Sequence, residues 1–485
     1  MSKKLPFFTG TRKYFIFAFL LCLIFATAYS VLSVIRHVNY QSFGYDLGIN
    51  NQVVWKYSTF QEPITTIDHV PFISKLDVHV EFIYMLLTPF YWIWGTARTL
   101  LILEAITVSF SGLAIFLISR KYNLHIWIQF ALLFSYLMFY GVQNALWFDL
   151  HSVTFGTAFL AWFLYFLLNK KNLLSLVFFF LAITSKENIA AMTFLISVVY
   201  FISTRRKTGL YFAFLSSIYL LFIFGVYFPF IVEGGYRFKN PDGLFSQVNP
   251  LLMINTPEKR DVYLYTFLSY GFLPILSPLY LVPVVGNLVS YFVLGQSVST
   301  AQGLFLHYRI ELAPLMSWAT IVTIAKFRWL NKKYTALYLI FCALFVQYLL
   351  HLPLSYLTKS WFWTQPSGVK HIEMIKENIP SNASIVSQNN IIPHISRRDA
   401  IFTLWPEKKT FTKDSPCGSE LCDWFRWAGN PEYLIVDTST EWDIRHLLTT
   451  REEYIQGLAN LEKAGVVTRY KEEGTAVLYK VNTMP

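Results

Sequence analysis

Residues 14–35 read YFIFAFLLCLIFATAYSVLSVI, an unbroken apolar run without a charged side chain. In a helix, about 20 such residues cross the roughly 30 Å hydrocarbon core of a bilayer. Arg12 and Lys13 precede the run and Arg36 follows it. A cleaved signal peptide has a shorter apolar core and a small-residue cleavage site. We therefore expect a retained first membrane helix with a cytoplasmic amino terminus, because basic residues stay on the inner side.

The composition extends this expectation to the whole chain. Of 485 residues, 54% are hydrophobic, 18% aromatic and only 14% charged, and the mean hydropathy is +0.42. Soluble domains carry about 25% charged residues. The formal net charge is +11, but the basic residues cluster at the ends of apolar segments, which orients membrane helices and is not typical of nucleic-acid binding. The sequence thus indicates a polytopic membrane protein with membrane lipids, and no nucleic acid, as partners.

Basic clusters along the chain predict one consistent topology. The clusters at 120–121, 170–171, 205–207 and 326–333 all become cytoplasmic if about eleven segments cross the membrane from an inside start. The predicted spans cover residues 14–35, 98–119, 125–143, 153–169, 172–186, 189–204, 210–230, 262–281, 283–296, 309–326 and 334–353. The C-terminus then lies on the outer side of the cell membrane, which is the inner or plasma membrane.

The predicted fold class is mainly α, a transmembrane helical bundle followed by a small extracytoplasmic α/β domain. The transmembrane domain covers 1–364, with a first extracytoplasmic loop at 36–97, and the α/β domain covers 365–485. After Gln365 the periodicity predicts alternating elements. The predicted helices cover 369–378 and 451–464, and the predicted strands 383–387, 400–404, 433–437, 466–470 and 476–481. This domain contains no Gly-rich nucleotide motif.

Two further features of the polar regions bear on the fold. Residues 79–94 are apolar and aromatic but short for a span, so we expect a helix in the outer interface, with a true span as the alternative. Cys417 and Cys422 lie in the polar tail, where a local disulfide and two free thiols are equally expected. Cys22 and Cys342 lie in apolar runs and are expected to be reduced and buried.

Ionisable residues near the outer ends of spans are candidates for chemistry, because a charge near hydrocarbon costs a few kcal/mol. On the predicted topology several such groups reach one membrane face. They are Asp46; Asp77, His79 and Glu81; Asp149 and His151; Lys186 and Glu187; and His307, Tyr308, Arg309 and Glu311. A polar cavity there suits a substrate with a polar head and a tail in lipid. The alternative is local pairing, of Asp149 with His151 and of Lys186 with Glu187.

Asp46 is the candidate catalytic residue. It follows the first span between Gly44 and Gly48, so its carboxylate could act as general base on an acceptor hydroxyl. The alternative is that Asp46 caps a helix over 47–57.

The other polar groups are candidates for substrate binding, namely Asp149, His151, Lys186, Glu187, His307, Tyr308 and Arg309. Lys186, Arg309 or Arg98 could neutralise a phosphate. The alternating residues at 77, 79 and 81 could admit a divalent cation, but a solvated loop is the simpler interpretation. We therefore assign no metal site and leave the cofactor unknown.

The same residues carry a family resemblance that spans nearly the whole chain. Its motifs are Tyr45-Asp46-Leu47-Gly48, Asn51-Gln52, Trp55, His79, Phe148-Asp149-Leu150-His151, Lys186-Glu187-Asn188, His307-Tyr308, Pro314, Gln388-Asn389-Asn390 and Pro393-His394. They resemble the prokaryotic membrane protein family of domain of unknown function 2079. That family is in turn similar in architecture to the C-type glycosyltransferases, which use polyprenyl-phosphate sugars and carry an acidic residue in the first outer loop.

The resemblance implies that Asp46 is the acidic loop residue. Asp68 and Asp77 lie in the same loop, and the closer pair of acids common in that superfamily is missing. The implied function is an integral membrane glycosyltransferase-like protein that transfers a sugar from a polyprenyl-phosphate donor at the extracytoplasmic face. A transporter or flippase of a lipid-linked or polar substrate, and a non-enzymatic membrane scaffold, are the alternatives. The sugar and the acceptor stay open.

Overall fold

The computed structural model describes residues 11–67, 72, 74–237, 250–294, 299–412 and 415–482. Spatial contacts divide the chain into two compact units that are both discontinuous in sequence. The helical unit comprises Met1–Ser33, Leu76–Ile83 and Leu101–Leu357, and the sheet unit comprises Val34–Lys75, Tyr84–Leu100 and Thr358–Pro485. Much of the first loop thus belongs to the same compact unit as the C-terminal segment, whereas the predicted domain boundary between residues 364 and 365 stays a prediction.

The helical unit is built from apolar α-helices. Those that lie in it, wholly or in large part, are Thr11–Val38, Ala97–Lys121, Ile126–Met138, Tyr140–Trp147, Ser152–Leu168, Asn172–Ile183, Glu187–Thr204, Lys207–Phe222, Pro257–Leu268, Val282–Val289, Leu312–Lys326 and Lys333–Leu350. Two π-helical segments, Ile223–Ile231 and Ser290–Leu294, extend the preceding helices. Short 3₁₀ turns lie at Pro250–Met253, Leu273–Leu276, Pro278–Leu281, Ser299–Gln302, Arg328–Leu330 and Pro353–Thr358.

Several of these helices are long and apolar enough to cross a membrane. Within the described residues there are five, at Arg12–Val38, Ala97–Lys121, Glu187–Thr204, Lys207–Ile231 and Lys333–Leu350. A sixth is obtained if Ile126–Met138 and Tyr140–Trp147, which meet at a 40° bend, form one span. Shorter apolar helices lie at Ser152–Leu168, Asn172–Ile183, Pro278–Val293 and Leu312–Lys326. A mainly helical protein with several candidate spans is confirmed, and the number eleven stays a prediction.

The segment 262–281, which we expected to form one span, is not a continuous helix. Its helix ends at Leu268, and the chain then passes through Phe272 in the left-handed region, with φ 55°. Two 3₁₀ turns follow, with Pro274 and Pro278 near their amino ends. Proline lacks the N–H that an α-helix needs for its backbone hydrogen bonds, so the helical ladder stops here.

The helices pack against their neighbours along the chain and leave apolar faces outside. Ser152–Leu168 packs on Asn172–Ile183, and Glu187–Thr204 packs on Lys207–Phe222. On the outer face of the last of these helices, Phe214 and Leu221 are 63% and 70% exposed. Rows of exposed apolar side chains on long helices are typical of a surface that contacts lipid.

In the residues that the structure describes, the sheet unit contains seven strands. They are β1 Ile385–Ser387, β2 Ile401–Thr403, β3 Trp405–Thr410, β4 Leu421–Arg426, β5 Tyr433–Asp437, β6 Val467–Glu473 and β7 Ala476–Val481. Five form one sheet in the order β2-β1-β5-β7-β6, in which β1 is parallel to β2 and β5 while β7 is antiparallel to β5 and β6. β3 and β4 form a separate antiparallel hairpin. The α-helices of this unit are Ile49–Ser58, Ser360–Trp363, Ser367–Lys376, Ile392–Ile395, Ile444–Leu447 and Arg451–Lys463.

The elements predicted for the C-terminal segment are present. The helices Ser367–Lys376 and Arg451–Lys463 and the strands β1, β2, β5, β6 and β7 lie where the periodicity placed them. The residues of β1 and β2 are all buried, as expected for strands covered on both faces. The hairpin was not predicted. Cys417 and Cys422 form a disulfide that joins its connection to β4, with Cα atoms 6.0 Å apart.

The apolar second half of the first loop is helical only in short pieces. Ile83–Leu86 and Thr88–Ile93, preceded by the short helix Lys75–Val78, replace the single helix expected over 79–94. A helix of six residues rises about 9 Å, far less than a bilayer. Trp92 and Trp94 are 57% and 53% exposed. A single span through this segment is therefore not formed, and its position in the membrane interface stays a prediction.

Candidate functional site

Asp46 lies on a π-helical turn in the sheet unit. The turn, Gly44–Gly48, runs directly into the helix Ile49–Ser58, whose N-cap is Gly48 without any side-chain cap. The interpretation of Asp46 as the cap is therefore wrong. The Gly44 N–H donates to the backbone carbonyl of Asn389 at 2.8 Å and to its Oδ1 at 2.9 Å. Asp46 is half-buried on a turn that the C-terminal segment holds in place.

The glycines on either side of Asp46 are required by close packing. A Cβ on Gly48 would lie 2.8 Å from Ile392 Cγ2, and one on Gly44 would lie 2.9 Å from Ile392 Cδ1. Gly48 has ordinary helical angles, φ −62° and ψ −51°. Conformational freedom is therefore not the reason for glycine at 48. The absence of a side chain lets the turn approach the short helix Ile392–Ile395.

In the helical unit, Glu187 pairs with His79. Glu187 opens the helix Glu187–Thr204 and is buried. Its Oε1 lies 2.6 Å from His79 Nδ1 and accepts a hydrogen bond of 3.1 Å from the Tyr236 hydroxyl. The expected local pair of Lys186 with Glu187 is not formed. Within the described chain the Lys186 ammonium forms no hydrogen bond or ion pair, although it lies within electrostatic range of Glu187 and Glu311.

Glu311 is a fully buried carboxylate surrounded by neutral donors. Asn188 Nδ2 donates to its Oε1 at 2.5 Å, Asn287 Nδ2 donates to its Oε2, and the Tyr291 hydroxyl donates to Oε1 at 3.3 Å. The donors come from two separate segments of the helical unit, Glu187–Thr204 and the helical stretch of Val282–Val289 with Ser290–Leu294. Buried carboxylates need such partners because desolvation otherwise disfavours the charge. The arrangement holds Glu311 in one position.

Arg309 is fully buried and engaged with its own segment of chain. Its guanidinium donates to the carbonyl of Gly303 at 3.1 Å and to that of Ala301. It also lies over the rings of Tyr291 and Phe292, 5.0 Å from each centroid. Such cation–π contacts and carbonyl acceptors fix the segment that precedes Leu312–Lys326. Phosphate binding by Arg309 stays a prediction.

The predicted histidines meet in the same unit. The rings of His151 and His307 stack with centroids 3.6 Å apart, and the Tyr308 ring lies 4.1 Å from that of His307. Asp149, just before His151, is buried with a positive φ of 55°. That backbone is uncommon outside glycine and turns the chain sharply before the helix Ser152–Leu168.

Two acids, Glu81 and Glu104, lie near these histidines, and Glu104 is absent from the predicted site residues. Glu104 is fully buried and accepts from the His151 N–H at 3.1 Å and from Thr154 Oγ1 at 2.7 Å. Ser152 Oγ donates to Glu81 Oε1 at 2.5 Å. An acid inside an apolar helix is a strong indicator of function or pairing, so Glu104 could have been found from its isolation in the run ILEAI at 102–106.

The alternating residues of the first loop have different partners. His79 binds Glu187 and Glu81 binds Ser152. Among the residues that the structure describes, no group of three or more His, Cys, Asp or Glu side chains could hold a metal ion. Asp68 lies outside the described residues.

Comparison with known proteins identifies the family of this chain. The family described as predicted membrane protein (DUF2079) matches residues 36–447. The chain belongs to the DUF2079 family. The match covers the first loop, the helical segments after the first helix and most of the sheet unit. No curated protein matches the chain.

Contacts within the helical unit of this DUF2079 chain link most of the predicted site residues into one series and one pair. In spatial order the series runs from His151 to His307, Tyr308, Tyr291, Glu311 and Asn188. The pair is Glu187 with His79, and Glu187 directly precedes Asn188 in the chain. The Tyr308 and Tyr291 rings lie 5.5 Å apart. Arg309 joins the series through Tyr291, and Lys186 precedes Glu187. Asp46 belongs to the sheet unit.

Proposed function

We propose that this chain is an integral membrane glycosyltransferase that moves a sugar from a polyprenyl-phosphate donor to an acceptor hydroxyl at the extracytoplasmic face of the cell membrane. The observation that carries the proposal is the series of contacting polar side chains from His151 to Asn188, together with the Glu187–His79 pair next to it in the chain, inside an otherwise apolar helical unit. Each buried ionisable group costs free energy, and such groups in membrane domains are typical of substrate paths. The architectural similarity to C-type glycosyltransferases supports the same activity.

Lys186 is the cation that we assign to the donor phosphate. Its ammonium forms no ion pair in the described chain, whereas the Arg309 guanidinium is already bound to carbonyls. Lys186 also stands at the amino end of Glu187–Thr204, where the helix dipole favours an anion. A phosphate beside Lys186 would gain a charge-assisted hydrogen bond.

Asp46 is the group that we assign to the acceptor. Its carboxylate takes the proton of the acceptor hydroxyl while the oxygen bonds to C1 of the sugar and the bond from C1 to the phosphate oxygen breaks. The products are the glycosylated acceptor, with inverted configuration at C1, and polyprenyl phosphate. Phosphate is a weakly basic leaving group, so one carboxylate is sufficient for the transfer. The fixed turn around Asp46 supports this role, because a general base must be held near its proton donor.

The orientation of the chain is part of the proposal. We place the amino terminus in the cytoplasm and the C-terminal segment outside, with about eleven crossings that include the shorter apolar helices. The disulfide between Cys417 and Cys422 supports this orientation, because disulfides persist in oxidising compartments.

The decisive experiment compares Asp46→Asn with Asp399→Asn in membranes that contain the full chain. Asp399 is an exposed acid of the same sheet unit, so the control removes the same charge. Radiolabelled polyprenyl-phosphate hexoses and pentoses are supplied one at a time, and transfer of label to membrane acceptors is measured. We expect Asp46→Asn to lose at least about 100-fold in rate and Asp399→Asn to keep the wild-type rate. Wild-type transfer by Asp46→Asn would remove Asp46 from the mechanism, and no transfer by wild type would exclude the activity for these donors.

A second experiment tests the phosphate contact. Lys186→Met is compared with Lys171→Met, which changes an exposed lysine at a helix start. We expect Lys186→Met to raise the KM for the donor about tenfold or more, since a charged hydrogen bond contributes about 1.5–3 kcal/mol. An unchanged KM would leave Lys186 with a structural role.

A transporter or flippase is the second candidate, and one observation favours it. Ile126–Met138 and Tyr140–Trp147 form a broken span with a 40° bend. Discontinuous helices surround the central site in many transporters. Vesicles with the purified chain and a fluorescent lipid-linked sugar distinguish the two, because a flippase equilibrates the lipid between leaflets without chemical turnover.

A further inference from the structure

A cavity of about 420 Å³ lies within the sheet unit and contains none of the residues assigned above to sugar transfer. Its wall includes three cationic side chains, Arg98, Lys376 and Arg397, and one acid, Glu373. The residues come from three distant parts of the chain, the end of the first loop, the helix Ser367–Lys376 and the segment after Ile392–Ile395.

Two residues that line the cavity, His37 and His394, belong to a stack of three rings. The His394 ring lies parallel to that of His37, with centroids 4.1 Å apart and 2° between planes, and parallel to that of Tyr40 at 3.5 Å and 6°. His37 Nδ1 lies 2.8 Å from Ser42 Oγ. The His394 Nε2 atom is buried and has no hydrogen-bond partner among the described residues. The stack provides a rigid wall with an unused polar atom.

The charges around the cavity do not balance. Glu373 is already satisfied, because Lys376 Nζ lies 2.7 Å from its carboxylate and the Tyr40 hydroxyl donates to it at 2.5 Å. The side chains of Arg98 and Arg397, by contrast, form no hydrogen bond or ion pair within the described part of the chain. Burial, together with the nearby positive charges, lowers the pKa of His394 well below its usual range, so the imidazole is neutral. The two guanidinium groups thus leave an excess of positive charge.

Guanidinium groups select for anions with paired oxygens. The planar fork of arginine matches two oxygens of a phosphate, and charged hydrogen bonds are about twice as strong as neutral ones. A cavity of this volume is within the range of small-molecule sites. We propose that this cavity binds a phosphate group, carried either by a membrane lipid headgroup or by a water-soluble phosphate, with Arg98 and Arg397 as its principal ligands.

The surroundings of Arg98 suit a lipid source. Arg98 lies in the first turn of Ala97–Lys121, a candidate membrane span. Trp92 and Trp94, just before this helix, expose more than half of their surface. Exposed tryptophans beside the end of an apolar helix are typical of the headgroup level of a bilayer.

The test uses the purified full chain and two double variants. The variant Arg98→Gln with Arg397→Gln removes both proposed ligands. The control variant, Arg206→Gln with Arg328→Gln, loses the same two positive charges at exposed arginines of the helical unit. Binding of inorganic phosphate is measured by titration calorimetry, and binding of phosphatidic acid by retention of the lipid in phosphatidylcholine nanodiscs. Succinate serves as a competing anion without phosphate, and thermal unfolding shows whether each variant folds.

We expect the first variant to bind at least about tenfold more weakly than wild type, and the control to bind as wild type does. The variant Arg98→Lys with Arg397→Lys keeps the positive charges but not the planar guanidinium fork. Its affinity is expected to lie between those of the first variant and the control. If the first variant loses affinity for phosphatidic acid but not for inorganic phosphate, the ligand is a lipid. If it loses affinity for both, a soluble phosphate is sufficient for binding. Equal affinity in the first variant and the control, or equally strong competition by succinate, would overturn the proposal.

Discussion

His79 and Glu187, 108 residues apart in the chain, form a pair in which Glu187 is buried and His79 is partly buried, with His79 Nδ1 2.6 Å from Glu187 Oε1. The pair ties the segment Leu76–Ile83 to the start of the helix Glu187–Thr204 within the helical unit. Burying either group alone is costly, because an ion removed from water needs a partner. Each side chain therefore depends on the other.

This dependence predicts strong coupling in a double-mutant cycle of His79→Gln and Glu187→Gln. Each single change leaves one polar group without its hydrogen-bond partner at 2.6 Å, so each lowers the thermal stability. The double variant is expected to lose less than the sum, with a coupling of about 1–3 kcal/mol. Thermal unfolding in one detergent measures all four proteins. Additive losses would mean that the two groups act independently.

Gly48→Ala is expected to destabilise the sheet unit. An alanine Cβ would lie 2.8 Å from Ile392 Cγ2, and overpacking of this kind costs about 1–3 kcal/mol. The loss should shrink in an Ile392→Ala background, which removes the contacting atom. Gly225→Ala, where a Cβ meets nothing within 4 Å, is the matched control and should be neutral. Hydrogen exchange of peptides covering 44–58 reports the effect. Equal losses in both backgrounds would refute a steric cause.

His446 predicts a pH dependence in the sheet unit. Burial, opposed by Asp443, lowers the pKa of His446 to about 4 from its usual 6.5. The unfolded chain therefore binds a proton between these pH values that the folded chain does not. Stability is complete above pH 6.5 and falls by up to about 3 kcal/mol as the pH decreases towards 4.

His446→Gln should remove this acid sensitivity. His446 Nδ1 accepts from the Asp443 N–H at 3.2 Å in a capping box, and glutamine at this helix position can accept the same bond without titrating. Hydrogen exchange of peptides covering 443–450 is compared between wild type and variant at the same pH, first at 7 and then at 5. If the exchange rates of wild type and variant differ equally at both pH values, His446 is not the cause of the acid sensitivity.

The proposed orientation predicts that Cys417 and Cys422 are accessible from outside the cell. After treatment with a membrane-impermeant reductant, an impermeant maleimide should label them in intact cells. Cys22→Ala and Cys342→Ala remove the two buried thiols from the background. Lys332→Cys, in a predicted cytoplasmic cluster, should be labelled only after permeabilisation. The reverse pattern would invert the topology.

The helices and strands that could be predicted are those with a strong local pattern. Tyr433–Asp437 is a compact apolar run, and it became the central strand β5. Trp405–Thr410 contains Pro406 and three charged residues, and it was missed as β3 because only its pairing with Leu421–Arg426 makes it a strand. Local propensity does not carry that information.

In the candidate site, too, the local sequence shows which residues are unusual but not which partners they contact. Lys186 and Glu187 were recognised as unusual charges near apolar helices, but their adjacency suggested a pair that the structure does not form. Lys186 has extended backbone just before the helix and Glu187 is the first helical residue, so adjacency in the chain does not make them a pair. The partner of Glu187 is His79, which no sequence spacing relates to it.

By itself, the sequence determined the membrane class, the family and the positions of most apolar helices, because hydrophobicity, charge clusters and periodicity act over a few turns of chain. Only the tertiary structure decided that the first loop shares a compact unit with the C-terminal sheet, that Ile392 requires glycine at 44 and 48, and that His79 binds Glu187. These contacts join segments up to several hundred residues apart. They depend on shape and burial, which exist only once the chain has folded.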